Sequence, residues 1–161
     1  MNFYKISEEQ FNKDISNELC CYEDIKLPKR GTIMSAGYDF FSPWKFTLQP
    51  GESILIPTGV KFCCDWDKWL MIVPRSGQGF KYGIRLANSV GVIDADYFQN
   101  EKNEGHIWVK IDYPISSINT NPWTVEKGEA FCQGIIASYY RVADDDVNKI
   151  REGGFGSTSN S

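Results

Sequence analysis

Four stretches of this chain hold residue types that could do chemistry together. Pro74-Arg75-Ser76-Gly77 closes the apolar run Trp69–Val73. A guanidinium fork, a hydroxyl and a glycine N–H are donors of the kind a phosphate needs. The plainer reading is a structural turn, so the segment decides nothing alone. Gly153-Gly154-Phe155-Gly156-Ser157-Thr158 follows Arg151 near the C-terminus. Glycine N–H groups can cradle phosphate oxygens, and Phe155 offers a flat face for a base. By composition the run is also a flexible tail. Neither G-x-x-x-x-G-K-[ST] nor G-x-G-x-x-G occurs, which argues against the usual nucleoside triphosphatase loop and the dinucleotide fold.

The third stretch runs from Asn88 to Tyr97, NSVGVIDADY. Asp94 and Asp96 stand beside apolar Val92 and Ile93. A carboxylate in such a place can act as general base on a water. Asn88 carries an amide donor and an amide acceptor, which suits the imide edge of uracil or thymine. The plainer reading is a hairpin with Asp at its turn. The fourth stretch is Ala36-Gly37-Tyr38-Asp39, where Asp39 could orient a water on an oxygen-seeking cation such as Mg²⁺. The alternative is an Asp at a strand start.

These residues need a scaffold, and 161 residues suit one domain. Hydrophobic residues are 42% and charged residues 24%, the mix of a globular chain. Ser7 followed by Gln10 fits a capping box, with Glu8 and Glu9 in the first turn. Phe11, Ile15 and Leu19 form one apolar stripe, so a helix is expected over about residues 8–20. From Tyr38 onward, short β-branched and aromatic runs alternate with Gly, Pro and Asn. Strands are expected at Tyr38–Phe41, Lys45–Leu48, Ser53–Ile56, Val60–Cys64, Trp69–Val73, Ile84–Ala87, His106–Tyr113, Trp123–Val125 and Phe131–Tyr139. Such spacing predicts an all-β sandwich or barrel. Helical crossovers for a parallel sheet are missing. The expected domain spans 1–150, followed by a flexible Gly-rich tail over 151–161.

Net charge is −4, which argues against a surface for long nucleic acid. No apolar run approaches the ~20 residues that cross a bilayer. The start MNFYKISEEQ lacks a basic-then-apolar leader, so a cytoplasmic protein is expected. Five cysteines, four of them in adjacent pairs, make a poor disulfide framework. With His106 the sole histidine, a zinc site is not expected. Reduced, mostly buried thiols are.

In their order, these segments resemble the motifs of the homotrimeric dUTPase family. The matches are Ala36–Phe40, Pro74–Gly77, Gly91–Tyr97, Gly128–Gln133 and Gly153–Thr158, within about residues 27–158. The resemblance implies a distorted jelly-roll or β-clip barrel with one short N-terminal helix. It implies a homotrimer with shared sites, each closed by another chain's tail. The reaction would convert dUTP and water to dUMP and pyrophosphate with Mg²⁺, keeping uracil out of DNA and supplying dUMP for dTMP synthesis. Carried over by position, Asp94 is the base for the water attacking the α-phosphorus, and Asp39 assists the hydrated metal. Arg75, Ser76, Gly77 and Gln133 hold phosphate oxygens. Asn88 and the backbone of Gly91, Val92 and Ile93 read uracil. Tyr97 packs on the deoxyribose. Phe155 stacks on the base, while Arg151, Gly156, Ser157 and Thr158 wrap the outer phosphates.

The sequence departs from the family pattern in four places. Arg151 lies one residue nearer the glycines. Ser159 follows Thr158 where Gly is usual. Ala130-Phe131-Cys132-Gln133 lacks the usual Arg. Phe98–Glu104 lengthens the turn after Tyr97. That insertion and the N-terminal helix are the places for a regulatory protein partner. The alternatives are a dCTP deaminase-like enzyme and a dUTPase-like regulatory module. The Ala95-Asp96-Tyr97 sequence and the glycine-rich tail argue against the deaminase.

Overall fold

A computed structural model describes residues 1–15, 18–116 and 120–148. The chain runs β1 (Asn2–Lys5), α1 (Glu8–Asp14), β2 (Lys29–Arg30), β3 (Gly37–Phe41), β4 (Phe46–Leu48), β5 (Ser53–Pro57), β6 (Val60–Cys63) and β7 (Lys68–Val73). It continues through α2 (Ser76–Tyr82), β8 (Arg85–Leu86), β9 (Gly91–Asp94), β10 (Trp108–Asp112), β11 (Trp123–Val125) and β12 (Ala130–Ser138). Every ladder is antiparallel. The main sheet has the order β2-β3-β12-β7-β9, and a second sheet has the order β5-β10-β8. The pairs β1-β6 and β11-β4 complete the architecture. Hydrogen bonding among the described residues thus forms separate ladders, not one closed barrel.

Period-two burial explains the sheets. Leu70 and Ile72 of β7 are buried while their neighbours are half-exposed. Val109 and Ile111 do the same on β10. They join Phe40, Ile93 and Phe131 in one apolar cluster fed by both larger sheets. Each such side chain contributes about 1.5–3 kcal/mol on burial.

The expected strands are found within two residues at their ends, and Trp123–Val125 without change. Strand β1 was not expected; it pairs with β6. Strand β9 arises from the segment expected to form a hairpin. Helix α1 begins as expected, with Ser7 Oγ accepting from Gln10 N at 3.1 Å. It stops at Asp14 instead of reaching residue 20, and Leu19 is exposed. Ile15 turns extended to bury its side chain, and Asp14 is tied to His106 across the chain. Those tertiary contacts override periodicity.

Helix α2 is a second helix where one was expected. Gly77 and Gly79 hide it from propensity, since each weakens a helix by about 1 kcal/mol. It ends on Gly83, whose φ of 69° supplies the left-handed cap. Among the described residues, no helix is long and apolar enough to cross a membrane. All five cysteines are free, but only Cys20 and Cys132 are fully buried, fewer than expected.

Candidate active site

Strand β12 organises the first half of the site. Its Gln133 lies opposite Asp39 of β3 on one side and Val73 of β7 on the other. Arg75, two residues beyond Val73, therefore reaches back to Asp39, with Nε 3.0 Å from Oδ1. The Gln133 amide donates to Pro74 O at 3.0 Å and holds the turn that carries Arg75. Gly37 makes room for this amide, because a Cβ there would stand 2.1 Å from Gln133 Oε1. Ser76 and Gly77 open α2 and are exposed. Their N–H groups precede the first bonds of the helix, which run from Gln78 and Gly79 to Arg75 O. The cluster gathers Arg75, Ser76, Gly77 and Gln133, the positions expected for phosphate contacts, around Asp39, the position expected to orient a cation-bound water. Cys132, next in the strand, is inert: burial pushes its thiol up, and Asp39 adds to the effect.

A cavity of about 640 Å³ forms the second half. Asn88, Gly91 and Ile93 line it, over a floor that includes Ile72 and Leu86. Alternation along β9 buries Gly91 and Ile93 and leaves Val92 exposed. Asp94 ends β9 beside this wall and is half-buried. Tyr97 is 1% exposed, so its ring is packed inside the chain. Its hydroxyl donates to His106 O at 3.0 Å and accepts from Asn103 Nδ2 at 2.8 Å. The expected contact of Tyr97 with a sugar is therefore not open in this conformation.

The two halves are not together. Asp94 pairs with Trp69 and Gln133 with Val73, at opposite ends of β7. Four residues along the strand and two strand spacings across place their Cα atoms about 16 Å apart. Arg151, Phe155, Gly156, Ser157 and Thr158 lie outside the described residues. Among the described residues, no cluster of three or more His, Cys, Asp or Glu is arranged to hold a metal.

Sequence reasoning missed the cavity's other wall, where Asp14, Trp108 and Lys110 stand. Asp14 fell inside the helix expected over residues 8–20, to which no site chemistry was assigned. The sole histidine was the available signal, because His106 Nδ1 lies 2.6 Å from Asp14 Oδ2. Gly37 was quoted only as part of a motif, and its steric role needs the register of β3 on β12.

A family model described as dUTPase matches residues 23–159. A deoxyuridine 5'-triphosphate nucleotidohydrolase from Lactococcus lactis is 42% identical over 137 residues, covering 83% of this chain and 88% of that protein. A protein of the same name from Finegoldia magna is 35% identical, covering 82% and 90%. The crystal structure of a dUTPase from Streptococcus mutans superposes with a TM-score of 0.67 at 32% identity, covering 88% of this chain and 98% of that one.

Proposed function

The chain belongs to the dUTPase family, and from that premise we propose that it hydrolyses dUTP to dUMP and pyrophosphate at sites shared between the chains of a homotrimer. One observation carries the shared site. Asp94 and the Arg75 cluster stand at opposite ends of β7, an arrangement that supports a site divided between chains. A trimer brings the Asp94 and cavity of one chain to the Arg75 cluster of the next.

At such a site Asn88 pairs with the imide edge of uracil. The walls of Gly91 and Ile93 exclude a 5-methyl group. Arg75, Ser76, Gly77 and Gln133 of the neighbouring chain take phosphate oxygens. The Asp94 carboxylate accepts a proton from the attacking water. The water oxygen bonds to the α-phosphorus, the bond to the α–β bridging oxygen breaks, and pyrophosphate leaves. Arg151, Phe155, Gly156, Ser157 and Thr158 close over the nucleotide.

The donors at hand fit Mg²⁺. They are carboxylate oxygens, and Asp39 commits only Oδ1 to Arg75, which leaves Oδ2 for a cation-bound water. When bound, Mg²⁺ supplies charge neutralisation on the phosphates.

The test is direct. The purified protein is incubated with Mg²⁺ and dUTP, dTTP, dCTP or UTP in separate reactions, and products are identified. Release of dUMP and pyrophosphate from dUTP alone is the expected result. Deamination of dCTP would move the chain to the deaminase reading. Tight dUTP binding without turnover would favour a regulatory module.

A further inference from the structure

Two elements that the family pattern does not account for meet at the cavity. The N-terminal segment ends before residue 23, where the family match begins. The Phe98–Glu104 insertion lengthens the turn after Tyr97. Glu104 accepts from Ser7 N at 3.0 Å, pairs with Ser7 Oγ, and takes Lys61 Nζ at 2.8 Å. This stitches the insertion to the start of α1. The end of α1 is fixed just beyond the insertion, at His106.

The protonation of that contact follows from its partners. Gly59 N donates to His106 Nε2 at 2.9 Å, so Nε2 is an acceptor. A carboxylate oxygen can only accept, so the 2.6 Å contact with Asp14 Oδ2 puts the ring proton on Nδ1, and Trp108 Nε1, 3.1 Å from that nitrogen, finds no lone pair there. Gln10 Nε2 donates to the same oxygen at 2.7 Å. Oδ2 is thus occupied twice, while Oδ1 has no hydrogen-bond partner among the described residues. This carboxylate lines the cavity that Asn88, Gly91 and Ile93 also line. A half-committed carboxylate in a largely apolar cavity needs a donor from whatever fills it.

We propose that Asp14 is a further specificity residue of this chain, accepting a hydrogen bond from an O–H or N–H of the bound nucleoside. It rests on the reading of the cavity as a uridine nucleotide site. The nucleoside offers two such donors, the sugar 3′-hydroxyl and the base imide N–H, the second only where Asn88 reads the carbonyls of that edge through its amide N–H.

Asp14→Asn tests this with little disturbance. Two donors converge on the Oδ2 position, so the new amide oxygen must sit there. The amide NH₂ then enters the cavity, and an acceptor becomes a donor. Asp14→Ala would instead strand His106 and Gln10 and is the poorer probe. Calorimetry measures dUMP, its 3′-deoxy analogue and its N3-methyl analogue against the wild type and Asp14→Asn, with melting temperature as the control.

The expected result is a dUMP affinity about 10- to 100-fold weaker in the variant. The loss should shrink to near nothing for one analogue, and that analogue identifies the donor. An unchanged dUMP affinity overturns the role of Asp14. A loss of equal size for all three ligands also overturns it, because a merely structural role would act on each alike. A wild type that binds no uridine nucleotide overturns the cavity reading, and the role of Asp14 falls with it.

Discussion

Gly37 and Gln133 occupy one space between them. A methyl at residue 37 would collide with the amide that holds Pro74, and through it Arg75. Gly37→Ala should therefore cost about 1–3 kcal/mol in urea unfolding and weaken pyrophosphate inhibition. An alanine variant with wild-type stability and inhibition would show that Gln133 can retreat without moving Arg75. The proposed base makes a sharper prediction. Asp94→Asn should lower kcat on the order of 10²- to 10⁴-fold while dUMP still binds. Near-normal turnover would remove Asp94 from the mechanism. At this scale the sequence was informative about residue types. Asn88, Gly91 and Ile93 do line one cavity, and Asp39, Arg75 and Gln133 do meet. What it could not supply was Asp14, because a helix-terminal carboxylate carries no local mark of the histidine it will find 92 positions away.

The insertion and α1 behave as one element. Burial pushes the Glu104 carboxyl up, but hydrogen bonds from Lys61 and Ser7 outweigh it and bring it from 4.5 to about 2. A depressed carboxyl stabilises the fold fully above its ordinary value. That contribution drains away as pH falls from 4.5 towards 2. Glu104→Gln should lower the melting temperature at neutral pH and flatten its acid-side decline over that window. Parallel declines in variant and wild type would mean that other carboxyls govern the acid limb. The β core was legible here because alternating burial on β7 and β10 is written in residue order. Helix α2 was not, because it is held by tertiary contacts such as Gln78 Nε2 to Ala130 O at 2.9 Å and by the cap at Gly83. The end of α1 was set by Ile15 and Asp14 reaching for distant partners, which no local period encodes.

The whole molecule is where the shared site can be tested against a site within one chain. Asp94→Asn and Arg75→Ala chains should each be nearly inactive. Mixed at random into trimers, they should recover about a quarter of the wild-type sites, because one junction in each mixed ring pairs an intact Asp94 with an intact Arg75. No recovery from mixed trimers would place the whole site in one chain. Removing residues 151–161 should leave a folded trimer with little turnover, and full activity without them would end the closure reading. The length of β7 has a last consequence. With Asp94 at one end and the anion cluster at the other, the proposed division of the site makes the strand a spacer, and each free chain would lack a complete site. Output per chain should then fall on dilution instead of staying constant. Such a protein reports its own abundance: below the concentration at which trimers hold, pyrophosphate release slows more steeply than protein is removed.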